Sequence, residues 1–305
     1  MIRHLLCREE NMRDKYKITG TVILAVLAAS FMCACGSVTV NVNTNTEDKP
    51  ATEETAPDES APETADDSVI PDDFPVVLEK DYDMSRYLDE DKKDMYFECH
   101  GNEWYCDDKT ADKYPQLAKT LEEIHDSETE DFESTLDEND EDAKEFAKAH
   151  LGEEFGAFYY YSSTGPACVD DKVVSLLSTY ESFLGGAHPS GSYKVYNIDV
   201  NSGEFIPLSD VISDQSGLNA ILKEKLESQY NDHQFFGLDE SLSSYVMDLS
   251  SNEDDKTPYD FTFSPNGLTF YFDSYALSPY ADGDEQIDLT YDDLASVLKE
   301  GYGSK

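Results

Sequence analysis

The histidine with the most distinctive surroundings is His188, in the segment Gly185-Gly186-Ala187-His188-Pro189. The glycine pair leaves the backbone free before the histidine and the proline fixes it afterwards, so a sharp bend is expected. An imidazole held in this bend can either contact a ligand or hydrogen-bond the backbone of its own turn. No adjacent serine, cysteine or carboxylate motif offers a catalytic partner, which favours the structural role and identifies no catalytic residue.

Two tyrosines are the other candidates for ligand contact. Tyr275 and Tyr280 flank the segment Ala276-Leu277-Ser278-Pro279, directly after a predicted strand. Exposed tyrosines can stack on sugar rings or anchor a protein partner. Aromatic residues that alternate along a strand are more often core residues, so both interpretations stay open. His188, Tyr275 and Tyr280 are therefore the candidate ligand-binding residues.

A third pattern involves two cysteines, in the segment Cys99-His100-Gly101-Asn102-Glu103-Trp104-Tyr105-Cys106. Glycine and asparagine near its centre predict a hairpin that places Cys99 opposite Cys106. A disulfide between them is then allowed outside the cell, although cross-strand geometry does not guarantee it. A metal site that uses His100 with both cysteines is disfavoured because the paired short spacings of zinc sites are missing. No metal or cofactor is expected.

The charge of the chain excludes some partners and favours others. The sequence carries 66 acidic and 22 basic residues, a formal net charge of −44. Such a chain cannot neutralise phosphates, so nucleic acid is not an expected partner. A cationic partner would be attracted. The acidic runs lack the glycine and the final carboxylate of a calcium loop, and no carboxylate pair stands out for glycoside hydrolysis.

The N-terminal region has the layout of a secretory signal peptide. Basic residues at positions 13, 15 and 17 precede an uncharged apolar run from Val22 to Met32, and small residues follow. The run is marginal for a transmembrane helix, which needs about 20 apolar residues. We predict a signal peptide over residues 1–34, with Met12 as a second candidate start. An uncleaved signal anchor is the alternative.

The cleavage region predicts a lipid anchor. The segment Met32-Cys33-Ala34-Cys35-Gly36 resembles a bacterial lipobox, in which Cys35 would carry the lipid. Several acyl chains hold a protein firmly because each buried methylene contributes about 0.8 kcal/mol. The expected location is the extracytoplasmic face of a bacterial cell membrane.

Residues 35–75 differ in composition from the rest of the chain. They are rich in asparagine, threonine, proline and acidic residues, and positions 46–67 contain no aromatic or large aliphatic residue. Such a segment buries too little apolar surface to offset its ordering entropy. We predict a disordered, self-repelling tether.

The residues after the tether predict an α+β fold with antiparallel sheets and packed helices. Predicted strands and helices occur in blocks, not in strict alternation. Asn266-Gly267 gives the strongest hairpin signal. We expect two intimate subdomains, at residues 76–184 and 185–301.

Several segments together resemble a bacterial extracytoplasmic module of unknown function. They are Val173-Val174-Ser175-Leu176-Leu177 before the 185–189 segment, Tyr196-Asn197-Ile198-Asp199, Pro207-Leu208-Ser209-Asp210, and Leu268-Thr269-Phe270-Tyr271-Phe272 before 275–281. The set is similar to the non-catalytic part of PdaC-type peptidoglycan deacetylases and to the outer domain of a lysozyme-sensing anti-sigma factor. The resemblance covers most of the chain from Tyr96 to Leu298.

The resemblance implies binding or sensing more than catalysis. The deacetylases place a metal-dependent catalytic domain after this module, whereas this sequence stops at Lys305. The stretch before the apolar run leaves no room for a sigma-binding segment. We therefore expect a surface-displayed lipoprotein that binds cell-wall glycan or a cationic protein such as lysozyme. The alternative is a wall hydrolase or esterase with an unrecognised active site.

Overall fold

The computed structural model describes residues 74–150, 157–186, 188–248 and 256–302. The predicted signal peptide, Cys35 and nearly all of the predicted tether lie outside these ranges. Among the described residues, no helix is long and apolar enough to cross a membrane. Their helices and strands make an α+β fold, as the sequence predicted.

A six-stranded sheet forms the first layer. Its strands are β1 (Val77–Asp83), β2 (Arg86–Tyr87), β3 (Met95–Cys106), β4 (Phe158–Val169), β5 (Val173–Phe183) and β6 (Ser190–Asp199). The strand order is β1-β3-β4-β5-β6, and β2 also pairs with β3. Because β5 pairs with β6, the sheet continues across the predicted boundary at residues 184 and 185.

One pairing in this sheet is parallel, so the sheet is mixed and not purely antiparallel. Phe97 pairs with Phe158 and His100 with Tyr161 in parallel register. A parallel pair needs a long crossover, and three of the described helices lie between the two strands. They are α1 (Asp108–Lys113), α2 (Pro115–Glu138) and α3 (Asp140–Ala149). The long helix α2 begins at Pro115 and buries Leu117, Leu121 and Phe132, among others.

The C-terminal elements form a second, smaller layer. The helices are α4 (Leu208–Val211), α5 (Gln215–Gln229), α6 (Leu238–Ser243) and α7 (Tyr291–Leu294). The strands are β7 (Tyr245–Val246), β8 (Thr257–Pro258), β9 (Asp260–Ser264), β10 (Gly267–Phe272) and β11 (Glu285–Thr290). The order β11-β10-β9 includes the predicted hairpin at Asn266-Gly267.

The small sheet packs on one half of the large sheet. Ser175 Oγ accepts a hydrogen bond from the backbone of Phe263 at 3.0 Å, and the Asn197 amide donates to the carbonyl of Phe261 at 2.7 Å. Both polar side chains are buried. These bonds fix β9 over the start of β5. The end of β5, and the start of β4 that pairs with it, lie outside that contact.

The predicted hairpin between Cys99 and Cys106 is wrong. Both residues lie on the single continuous strand β3. Seven residues of extended chain span about 23 Å, whereas disulfide-bonded cysteines need Cα atoms within about 7 Å. Both thiols are free. Burial raises the pKa of Cys99 to about 12 and that of Cys106 to about 11.

Gly101 and Asn102 make packing and hydrogen-bond contacts within β3 and do not form a turn. A Cβ atom at Gly101 would collide with the ring of Tyr82 and would lie 2.8 Å from the ring of Phe132. The Asn102 side chain both accepts from the backbone N–H of Thr164 and donates to its carbonyl, each at 2.7 Å. It joins β3 to β4 just beyond the point where their backbone pairing ends.

Asp140 should make stability sensitive to acid. Its carboxylate accepts hydrogen bonds from Lys144, Tyr96 and Arg86, which lower its pKa to about 2. This contribution is present above the ordinary pKa near 3.8 and is lost as pH falls toward 2. We expect Asp140→Asn to flatten the pH dependence of unfolding free energy between those values. Urea titrations would measure it, with the exposed Asp142→Asn as control; equal slopes in wild type and Asp140→Asn would contradict the assignment.

Candidate functional site

The three candidate ligand residues meet on the surface. The rings of His188 and Tyr280 stack with centroids 4.7 Å apart and an interplanar angle of 21°. The ring of Tyr275 lies 5.4 Å from that of Tyr280. Tyr275 is 45% exposed, and the His188 ring reaches the carbonyl of Pro189 at 3.2 Å. We call these three residues the ring cluster.

The backbone that presents the tyrosines is unusual. Tyr275 has φ of 68°, in the left-handed region that a residue with a side chain rarely adopts. A short 3-10 turn follows from Tyr280 to Asp282 and ends at Gly283, whose φ is 86°. Strained backbone of this kind costs about 1–3 kcal/mol and persists where its surroundings fix it.

A cluster of three polar side chains fixes the loop that carries Tyr275 and Tyr280, residues 273–284. Ser278 donates a hydrogen bond to Glu285 at 2.5 Å, and His233 lies 3.2 Å from the same carboxylate oxygen. Ser278 and Glu285 are fully buried, and burial raises the pKa of Glu285. The backbone N–H of Phe236 also donates to the carbonyl of Leu277 at 2.9 Å.

Serine, histidine and glutamate are arranged here for support and not for nucleophilic catalysis. In a catalytic triad the histidine lies between the nucleophile and the acid. Here Glu285 lies between Ser278 and His233. Ser278 is also inaccessible to a substrate. The group therefore holds the loop that carries Tyr275 and Tyr280.

A second row of rings, outside the three candidate ligand residues, lies beside the ring cluster. Tyr159 and Tyr161 lie on one face of β4 and stack at 4.7 Å with an interplanar angle of 15°. The ring of His100 lies 5.6 Å from that of Tyr161. Tyr159 donates a hydrogen bond to Glu181 at 2.7 Å, and Tyr161 donates to Glu98. We call these five residues the tyrosine ladder.

The ladder lies next to the ring cluster. Burial and then Glu181 raise the pKa of Tyr159, and Tyr280 is near enough to add a smaller electrostatic contribution. Burial and Glu98 likewise raise the pKa of Tyr161. The hydroxyls of Tyr159 and Tyr161 therefore stay protonated and donate to the carboxylates.

A third tyrosine ties the loop to the large sheet. The backbone N–H of Tyr193 donates to Asp273, and its hydroxyl donates to Asp284, both at 3.1 Å. Its ring lies 5.3 Å from that of Tyr271. Tyr193 pairs with Thr179 in the sheet, so it fixes the loop beside β5.

Candidate ligands for a metal do not converge in the described part of the chain. No group of three or more histidine, cysteine, aspartate or glutamate side chains there could hold an ion. Cys35, the predicted lipid site, falls outside the described residues.

One family model matches part of the chain. Residues 209–292 match the model of DUF3298, described as a protein of unknown function. This DUF3298 domain runs from α4 to α7 and contains Tyr275 and Tyr280, whereas His188 precedes it. No curated protein matches the sequence.

Two solved structures share the fold. A DUF3298 family member from Bacteroides fragilis superposes with a TM-score of 0.52 and 17% identity, covering 74% of this chain and 94% of that one. A DUF3298 family protein from Pseudomonas aeruginosa PAO1 superposes with a TM-score of 0.50 and 14% sequence identity, covering 75% of this chain and 96% of that one. At such identities the likeness establishes the fold alone, and function has to be argued from the site.

Proposed function

We propose that this protein is a lipid-anchored, non-catalytic binding module on the outer face of a bacterial membrane. Its partner is a cationic protein such as a lysozyme, bound at the ring cluster. The observation that carries the proposal is that His188, which lies far from the loop tyrosines in the sequence, stacks on Tyr280, while the ring of Tyr275 lies 5.4 Å from that of Tyr280. Cys35 would supply the anchor.

The chemistry of the surroundings supports a cationic partner. The chain has a net charge of −44, which attracts such a partner over a distance. Tyrosines give large contact areas at low entropy cost, and cations bind favourably over their faces. The resemblance of residues 96–298 to the module of a lysozyme-sensing anti-sigma factor points to the same class of partner.

Wall glycan is the other ligand that fits a surface of tyrosines. Stacked aromatic rings can hold sugar rings, and the resemblance to the deacetylases points to this ligand. The excess of acidic residues favours the cationic protein over the glycan, because a neutral glycan gains no electrostatic attraction from it.

Binding to lysozyme should be strong at low salt and weaker at physiological salt. Exposed charges are screened when the Debye length falls from roughly 30 Å at about 0.01 M salt to roughly 8 Å at about 0.15 M. We expect calorimetry on the full chain in detergent micelles to show this fall in affinity. Some binding should persist at the higher salt, because the ring contacts are not screened.

A second cationic protein separates specific recognition from charge attraction. Cytochrome c, titrated under the same conditions, is expected to bind weakly and to lose binding entirely at the higher salt. Equal affinities for both proteins, or no heat with lysozyme at low salt, would contradict the proposal.

A further inference from the structure

The tyrosine ladder contains two carboxylates, those of Glu98 and Glu181. Glu181 accepts from the Tyr159 hydroxyl, and Glu98 accepts from Tyr161 and lies 3.0 Å from the His100 ring. Across the described ranges, no lysine or arginine forms an ion pair with either carboxylate. Within the described ranges, the basic side chain paired with these carboxylates is the His100 imidazole beside Glu98, which carries a charge only when it is protonated.

The position of the ladder leaves it accessible from one side. Alternate residues of β4 point to opposite faces of the sheet. Phe158 and Tyr160 face the helices, where they contact Phe146 and Phe132. Tyr159 and Tyr161 therefore lie on the other face, at the end of β4 that the small sheet does not cover. Glu181 and His100 are exposed.

This chemistry matches cationic side chains better than neutral ones. A guanidinium group can stack on an aromatic face and pair with a carboxylate at the same time. A neutral sugar could stack on the rings but would leave both carboxylates uncompensated. Ammonium groups offer the same charge without the planar stacking surface.

We propose that the tyrosine ladder is a second part of the binding surface, which receives arginine and lysine side chains of a cationic protein. The inference rests on the proposed function, because it extends the ring cluster across the large sheet. The partner then contacts the loop 273–284 with one part of its surface and the strands β3, β4 and β5 with another.

An octa-arginine peptide tests the ladder directly. We expect Glu181→Gln and Tyr161→Ala each to weaken its binding to the full chain about fivefold at low salt, the effect of one cation–aromatic or ion-pair contact. Glu181→Gln is the safer variant, since its side chain is exposed and no fold change is expected. Fluorescence anisotropy with a labelled peptide provides the measurement.

Two control variants make the result specific. Glu130→Gln removes an exposed charge on α2, on the opposite face of the sheet. Tyr105→Ala removes a tyrosine that is 42% exposed on β3, near its far end. Both should bind octa-arginine like wild type. If Glu130→Gln weakens binding as much as Glu181→Gln, the attraction is general and the ladder is not a site.

The ladder and the ring cluster can fail separately. If lysozyme binding depends on Tyr280 while the ladder variants bind octa-arginine normally, this inference falls and the proposed function stands. If the ladder variants lose octa-arginine but Tyr280→Ala leaves lysozyme binding unchanged, the ladder stands and the ring cluster loses its role. Loss of chitohexaose binding in Tyr161→Ala, with octa-arginine binding intact, would replace the cationic partner by a glycan.

Discussion

Replacing Glu128 with alanine is expected to lower the free energy of unfolding by about 3 kcal/mol or more. Glu128 lies on α2 and is only 3% exposed. One carboxylate oxygen accepts from the hydroxyls of Tyr180 at 2.7 Å, Tyr196 at 2.8 Å and Ser178 at 3.5 Å. Alanine removes the carboxylate that accepts from the two tyrosine hydroxyls, on β5 and β6, and a buried donor that loses its acceptor costs about 1–3 kcal/mol. Ser178 keeps its hydrogen bond to Thr164 at 2.6 Å.

Two further variants show whether the carboxylate itself is responsible. Glu128→Gln keeps an acceptor oxygen and should lose less stability than Glu128→Ala. Glu130→Ala changes an exposed position two residues along the same helix and should have little effect. Urea denaturation measures all three. A loss below about 1 kcal/mol for Glu128→Ala would mean that α2 is held to the sheet by its apolar residues alone.

The second large effect is expected for Tyr280→Ala in partner binding. Tyr280 contacts both other members of the ring cluster, so its removal disconnects His188 from Tyr275. A central aromatic contact of an interface contributes about 2 kcal/mol or more when truncated, which is roughly a 30-fold loss of affinity. Calorimetry with lysozyme at physiological salt would measure it.

The matched controls are Tyr280→Phe and Tyr105→Ala. Phenylalanine keeps the ring and should keep most of the affinity. Tyr105 is exposed to a similar extent as Tyr275 but lies outside the ring cluster. If Tyr280→Ala binds lysozyme as tightly as the wild type does, the complex is held by charge attraction without a site.

Local signals in the sequence predicted local structure well. The hairpin signalled by Asn266-Gly267 is present, with Pro265 and Asn266 in the turn and Gly267 at the start of β10, paired to Ser264. The helix α2 likewise begins at Pro115, a residue type favoured at the first position of helices. Each of these depends on neighbours within a few residues.

The errors arise where distant contacts decide the structure. Gly101-Asn102 reads as a turn, but Tyr82 and Thr164 use the small glycine and the amide to continue β3. The parallel pairing of β3 with β4 depends on where the helices between them pack. Neither contact leaves a signal in the adjacent residues.

The candidate site also shows this difference between local sequence signals and contacts that only the fold creates. His188 and the two loop tyrosines could be selected individually by their local context, but not as a group, because the loop 273–284 reaches His188 only through the fold. Tyr159 and Tyr161 belong to the aromatic run Phe158–Tyr161, and alternation along a strand does not indicate which of its two faces stays open to solvent. Knowing that β9 covers only the start of β5 would have identified the ladder.

Hydroxyl-radical footprinting of the full chain, with and without lysozyme, tests the binding surface most directly, since it reports on each tyrosine separately. The surface proposed here predicts protection of Tyr275 and Tyr280 in the complex, with Tyr105 oxidised at its free rate. Protection elsewhere in the described residues, with Tyr275 and Tyr280 as reactive in the complex as in the free protein, would contradict it.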